Sequence, residues 1–177
     1  MSQLKDVSSS SYFYDAVNWA VRKGITSGTS ATTFSPYQPC TRAQIVKFIY
    51  KMAGSPDVSD VEIPFSDVPS NAYYLDAVKW AVSSGVTSGT SKTTFSPNKP
   101  CTRGQIVTFL WKYNKAPEVD ATVKFSDVES TAYYAEAVKW AVANNVTSGT
   151  SATTFSPNVP CTRAQAVTFL YKSSGEK

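Results

Sequence analysis

Apolar and polar positions alternate along this chain in a pattern that recurs. Phe13, Ala16, Val17, Ala20 and Val21 fall at the i, i+3, i+4, i+7 spacing of an amphipathic helix, so "SSSYFYDAVNWAVRKG" predicts a helix with a small, aliphatic inner stripe. Gly24, Gly85 and Asn145 stand at equivalent places after it, each followed by Ile or Val. Gly and Asn tolerate the left-handed conformation that ends a helix, and the apolar residue after them folds back on the last turn. A polar stretch, "TSGTSATTFSPYQP", follows without helical period, and then "TRAQIVKFIYKMA". Its Ile45, Val46, Phe48, Ile49 and Met52 cover more than one face, which predicts the more buried helix of the two.

This plan of helix, loop and helix occurs three times. Trp19, Trp80 and Trp140 are spaced by 61 and 60 residues, and Cys40, Cys101 and Cys161 by the same intervals. The repeats span residues 3–54, 64–115 and 124–175, joined by "SPDVSDVEI" and "APEVDATV", which are rich in Pro, Asp and Val. A repeat of about 50 residues with two helices is too small to close a core, so the three must pack as one folded unit. The wheel does not choose which helices form its centre.

Composition narrows the function. The net charge is +4 with Lys and Arg dispersed, which is too thin for a nucleic-acid footprint but suits a small anionic ligand. There is no histidine, the commonest general base and metal ligand. The 13 acids are either repeated structural pairs or residues of connectors and tail, so no acid/base or nucleophile constellation marks an enzyme, and nothing implies a cofactor or a metal. No apolar run approaches the roughly 18 residues of a transmembrane helix, and "MSQLKDVSSS" lacks the apolar stretch of a secretory signal. The chain is read either as cytoplasmic or as a piece of a longer exported protein.

"PCTRAQ" stands at 39–44 and 160–165, and "PCTRGQ" at 100–105. Thr41 with Gln44, Thr102 with Gln105 and Thr162 with Gln165 have the S/T-x-x-E/Q spacing of a capping box. On that register Cys40 is N′ and Ile45 is N4, the two positions of a hydrophobic staple, which makes the cysteine a small, buried, free thiol. A zinc site would lack a fourth ligand, and a disulfide would leave one of three equivalent cysteines over.

Capping leaves Arg42, Arg103 and Arg163 unexplained. They fall at N1, where the helix dipole disfavours a cation by some tenths of a kcal/mol. One explanation is a concave anion site, with the guanidinium beside free backbone N–H groups of the helix start; removing all three arginines would then abolish binding and leave the helices intact. The other is a salt bridge to Asp6, Asp67 and Asp127, or to Asp15, Asp76 and Glu136. A second ridge groups Tyr12, Asp15 and Trp19 on one side of the first helix, as it does Tyr73, Asp76 and Trp80, and Tyr133, Glu136 and Trp140. These rings either pack against the neighbouring repeat or line a groove between repeats, where a ring face and a carboxylate suit a sugar.

Together, "FSDV" at 65–68 and 125–128 ("LKDV" in the first repeat), "AVxWA", a stop at Gly-Ile or Gly-Val, "TTFSP" and "TRAQ" resemble the S-layer homology domain in three tandem copies, over essentially the whole chain. Two departures are Gln44, Gln105 and Gln165 where that family has Glu, and a loop "GTSATTF" without the family's Asp-Gly pair and Tyr. The resemblance implies an all-α, pseudo-threefold assembly of helix-loop-helix repeats with a shared central bundle and projecting prongs. It further implies a monomeric pseudo-trimer at the bacterial cell surface, with no membrane insertion. There it would anchor an exported protein non-covalently to secondary cell-wall polysaccharide, commonly through a pyruvylated amino sugar held between motifs. By position, Arg42, Arg103 and Arg163 would meet the carboxylate, while Gly28, Gly89 and Gly149, with Thr29, Thr90 and Thr150, would bring backbone N–H groups to the sugar.

Overall fold

The TRAQ and TRGQ segments begin helices as their spacing predicts. A computed structural model describes residues 4–176 and contains six helices, α1 (Tyr14–Arg22), α2 (Arg42–Met52), α3 (Leu75–Ser83), α4 (Arg103–Tyr113), α5 (Ala135–Ala143) and α6 (Arg163–Ser173). Residue 3, where the first repeat is read to begin, lies outside the described residues. Among those residues there is no strand beyond isolated bridges, and no helix is long and apolar enough to cross a membrane. Thr41, Thr102 and Thr162 each accept the N–H of the Gln three residues on, and that Gln returns its side-chain oxygen to the Thr N–H. At the other end of the first helices Gly24, Gly85 and Asn145 have φ of 69°, 75° and 57°, and the Ile25 and Val146 N–H groups reach back to Ala20 and Ala141 at 2.8 Å.

The second helices form the centre, since α2 touches α4 and α4 touches α6. Each first helix packs outside on a second helix of another repeat: α3 on α2, α5 on α4, and α1 on α6, which closes the circle between the two ends of the chain. Trp19, Trp80 and Trp140 fill these seams, at 2%, 6% and 4% exposure. The Trp19 ring lies 5.5 Å from that of Tyr171, and Trp80 lies 5.8 Å from Tyr50 and 5.9 Å from Tyr113. The tryptophans pack between repeats, and two of them also line pockets there, Trp19 with Lys51, Tyr113 and Glu176 and Trp80 with Ala53 and Tyr113, apart from the arginines.

The starts of α2, α4 and α6 are tied to one another through the backbone. Cys40 N–H donates to the Cys161 carbonyl, Cys161 N–H to Cys101, and Cys101 N–H to Cys40, each at 2.8 Å, so the three residues form a closed ring. The side chain at that position must be small and free of hydrogen-bonding demands, and cysteine meets both needs. All three are free, with no exposed surface. Burial pushes the Cys40 and Cys101 thiols up to about 12 and raises Cys161 well above its ordinary value.

The repeated aspartate before each first helix holds the loop. Asp67 accepts the N–H of Phe95 and of Ser96, both at 2.8 Å; Asp6 does the same for Phe34 and Ser35, and Asp127 for Phe155 and Ser156. Ser35, Ser96 and Ser156 have φ of 58°, 57° and 58°, a left-handed backbone that costs a non-glycine residue about 1 kcal/mol or more and persists only where neighbours enforce it. The two-pronged carboxylate supplies that enforcement.

Two stability predictions follow from these contacts. Asp67→Asn leaves one backbone N–H without its charged acceptor and should lower unfolding free energy in urea by about 2 kcal/mol, with no change in the helical spectrum before the transition. The thiols are held neutral in the fold but ionise freely once unfolded, so the unfolded chain binds fewer protons above the ordinary thiol value near 8.5 and stability must fall as pH rises past it. Between pH 8 and 10 each cysteine should remove about 1 to 2 kcal/mol. In a variant with all three changed to Ala, urea denaturation should show that alkaline loss reduced by the same amount.

Candidate functional site

The helix starts donate their N–H groups to protein, not outward. Arg42 N–H bonds the Lys99 carbonyl at 2.9 Å and Ala43 N–H that of Pro97 at 3.0 Å; Arg103 and Gly104 bond Val159 and Pro157, and Arg163 and Ala164 bond Gln38 and Pro36. The expectation of an anion held by free N–H groups at the helix N-terminus is therefore corrected. The carbonyls of another repeat occupy them.

The arginine side chains turn the same way. Arg42 Nε donates to the Phe95 carbonyl at 2.9 Å, Arg103 Nε to Phe155 at 2.8 Å and Arg163 Nε to Phe34 at 2.7 Å. Each guanidinium carbon is flanked by two rings: Arg42 lies 4.9 Å from the Phe95 centroid and 5.4 Å from Phe109, Arg103 4.8 Å and 5.2 Å from Phe155 and Phe169, and Arg163 4.8 Å and 5.6 Å from Phe34 and Phe48. The arginines are only 3%, 3% and 4% exposed, and in all three Nη2 is buried with no hydrogen-bond partner. Burial lowers each guanidinium from its ordinary value, while a nearby cysteine and the Asp of the loop clamp act the other way.

No carboxylate bridges these arginines. The ion pairs among the described residues are Lys23 with Glu176 and Lys139 with Glu136. Asp67 acts on Arg42 at one remove, by fixing the Phe95 backbone whose carbonyl accepts from Nε. Asp15, Asp76 and Glu136 sit exposed in the first turns of α1, α3 and α5, helices without a side-chain cap, where they complement the dipole.

Each arginine lines a groove. The first groove, ≈ 590 Å³, joins Arg163 to the Gly28–Thr29 loop, Gln44, Phe48, Lys47, Lys51 and Tyr73. The second, ≈ 390 Å³, joins Arg42 to the Gly89–Thr90 loop, Gln105, Thr108, Phe109, Lys112 and Tyr133. The third, ≈ 370 Å³, joins Arg103 to the Gly149–Thr150 loop, Gln165, Thr168, Phe169, Lys172 and Tyr12. Every groove takes its arginine, its loop and its tyrosine from three different repeats, and none is lined by an acid.

The predicted ridge is split by this geometry. Tyr12, Tyr73 and Tyr133 are 67%, 61% and 61% exposed and reach the grooves, whereas Trp19, Trp80, Trp140 and the three acids do not line them. Helical spacing does not extend to Tyr12, because α1 begins at Tyr14. The loop glycines are in place, but their N–H groups are used: Gly28, Gly89 and Gly149 donate to the hydroxyls of Thr26, Thr87 and Thr147, and Thr29, Thr90 and Thr150 donate to the carbonyls of Thr33, Thr94 and Thr154. At Gly89 a Cβ would come within 2.5 Å of the Phe65 ring, so glycine serves close packing there. The loops offer hydroxyls in place of amides, such as the Thr29, Thr33 and Ser35 cluster. Sequence reasoning missed Lys51, Lys112 and Lys172, whose one-turn spacing from Lys47, Thr108 and Thr168 was a usable signal.

The model of one family, "S-layer homology domain", matches residues 3–46, 64–107 and 124–167. The chain is 31% identical over 167 residues to a surface-layer 125 kDa protein of Lysinibacillus sphaericus, covering 92% of this chain and 14% of that protein. It is 28% identical to an S-layer protein of Bacillus thuringiensis subsp. finitimus, over 95% of this chain and 21% of the relative. It is 27% identical to an endoglucanase of Bacillus sp. (strain KSM-635), over 96% of this chain and 19% of the enzyme. The chain thus spans about a fifth or less of the length of these relatives. With three tandem matches laid over the three cyclically joined repeats, the chain belongs to the S-layer homology family.

Proposed function

We propose that this chain is a wall-binding module that anchors an exported protein at the bacterial cell surface. It does so by holding an anionic, pyruvylated secondary wall polysaccharide in its three grooves. One observation carries the reading: each groove contains a buried arginine with an unpartnered Nη2, a lysine from the second helix of another repeat and an exposed tyrosine, and no acid to neutralise them. A buried donor without a partner costs about 1–3 kcal/mol, and a ligand carboxylate would recover it by parting the groove wall enough to reach Nη2. The tyrosine gives the apolar face of a sugar ring a surface to lie on. An arginine and a lysine at about 1.5–3 kcal/mol each, with a ring contact of about 1 kcal/mol, add to roughly 4–7 kcal/mol, which corresponds to affinity from about millimolar to about 10 μM per groove.

Two other readings are less well supported. A scaffold with empty grooves leaves three sets of like charges uncompensated. An enzyme finds no acid in the grooves to transfer a proton, and the endoglucanase relative is matched over only 19% of its length. The module is read as a monomer whose three repeats stand in for three subunits, without nucleic acid or membrane as partner.

The arginines are poor probes of this function, because they also hold the fold. Arg42→Ala would remove a charged hydrogen bond and a guanidinium packed between two rings, and should cost about 2–4 kcal/mol of stability in urea; the triple Ala variant should lose its helices along with its binding. The lysines and tyrosines at the groove mouths separate the two effects. Lys51, Lys112 and Lys172 changed together to Gln, or Tyr12, Tyr73 and Tyr133 together to Ala, should keep the helical spectrum and lose co-sedimentation with purified walls by tenfold or more. Full pelleting of both variants would rule the grooves out.

A further inference from the structure

We infer that the three grooves are unequal: the first takes a glycan segment with two negative charges, while the second and third take one. This rests on the wall-glycan reading and adds the charge of the ligand to it.

The difference originates at a single equivalent position, 47, 108 and 168. Thr108 Oγ1 donates to the Gly104 carbonyl and Thr168 Oγ1 to that of Ala164, each at 2.7 Å, so these side chains are buried and satisfied on their own helix. Lys47 has no such return. Its amine stands 4.5 Å from the centroid of the Tyr73 ring, over the face, at the point where the second and third grooves have only a hydroxyl turned away. Lys51 follows one turn later on the same helix face, and like charges at that spacing repel. With Arg163, the first groove collects three cations and no acid, against two cations in each of the others. Burial, and then Lys51, lower the Lys47 amine from its ordinary value, which an anion between them would reverse. The space fits the charge: ≈ 590 Å³ in the first groove against ≈ 390 and ≈ 370 Å³ in the others.

Titration calorimetry of the full chain at pH 8 tests this with two probes, pyruvylated N-acetylmannosamine as the monoanion and N-acetylmannosamine 6-phosphate as the dianion. The dianion should show one site about tenfold tighter than the other two, and the monoanion three sites within about threefold. Lys47→Thr, which installs the residue of the other repeats, should bring the tight dianion site down to the level of the others. Thr108→Lys should create a second tight site. Three equal dianion sites in the wild type, or a tight site that survives Lys47→Thr, would overturn the inequality while leaving glycan binding standing. If neither probe binds, the glycan reading falls and this inference with it.

Discussion

Three backbone hydrogen bonds running in a circle through Cys40, Cys161 and Cys101 make every repeat depend on the other two. None of these residues finds its partner within its own repeat, and a buried amide without a partner is costly, so no pair of repeats can satisfy the centre. The same handing-on governs the shell around it. The N-terminal amides of α2, α4 and α6 find acceptors in another repeat's loop, and the arginine side chains follow them. The outer helices pack across repeats as well, and α1 on α6 joins the chain's two ends. A motif too small to bury its own polar groups has become part of a closed structure in which all are buried together.

Much of this architecture was legible in the sequence, because it rests on local rules. The helix stops at Gly24, Gly85 and Asn145, the capping boxes and the buried cysteines follow from residue type and spacing alone. What the sequence could not show is which repeat supplies a partner. Arg42 looked misplaced at a helix start because its acceptor, the Phe95 carbonyl, lies in the next repeat. Asp67 looked like a partner for that arginine, whereas its oxygens are spent on two amides of the loop between them. Tyr12 and Trp19 seemed to share a face because a helical wheel assumes helix, and the chain before Tyr14 is not helical.

The candidate site was therefore half visible. Arginine, loop glycine and threonine were identified by position and do meet at the grooves, yet the donors they present there differ from the expectation. Their backbone donors are consumed by the fold, which leaves side chains as the groove's chemistry: the edge of a guanidinium whose Nε is already committed, a lysine, hydroxyls and a phenol ring. Such an arginine is pre-oriented. It is held by a carbonyl and two flanking rings, so a ligand need not spend affinity on ordering it.

On the wall-binding proposal, folding and binding are coupled through the same atoms. Because each groove takes an arginine, a loop and a tyrosine from three repeats, disruption of any one repeat damages all three grooves, and a ligand seated in one holds three repeats together. Binding to the folded state alone adds stability in proportion to RT ln(1 + [L]/Kd), about 2.7 kcal/mol when ligand stands at a hundred times Kd. On a wall where binding sites are dense, occupied grooves would reinforce the circle that forms them. On that proposal the triplication has a mechanical meaning distinct from simple multivalency, because each repeat supplies one third of every groove.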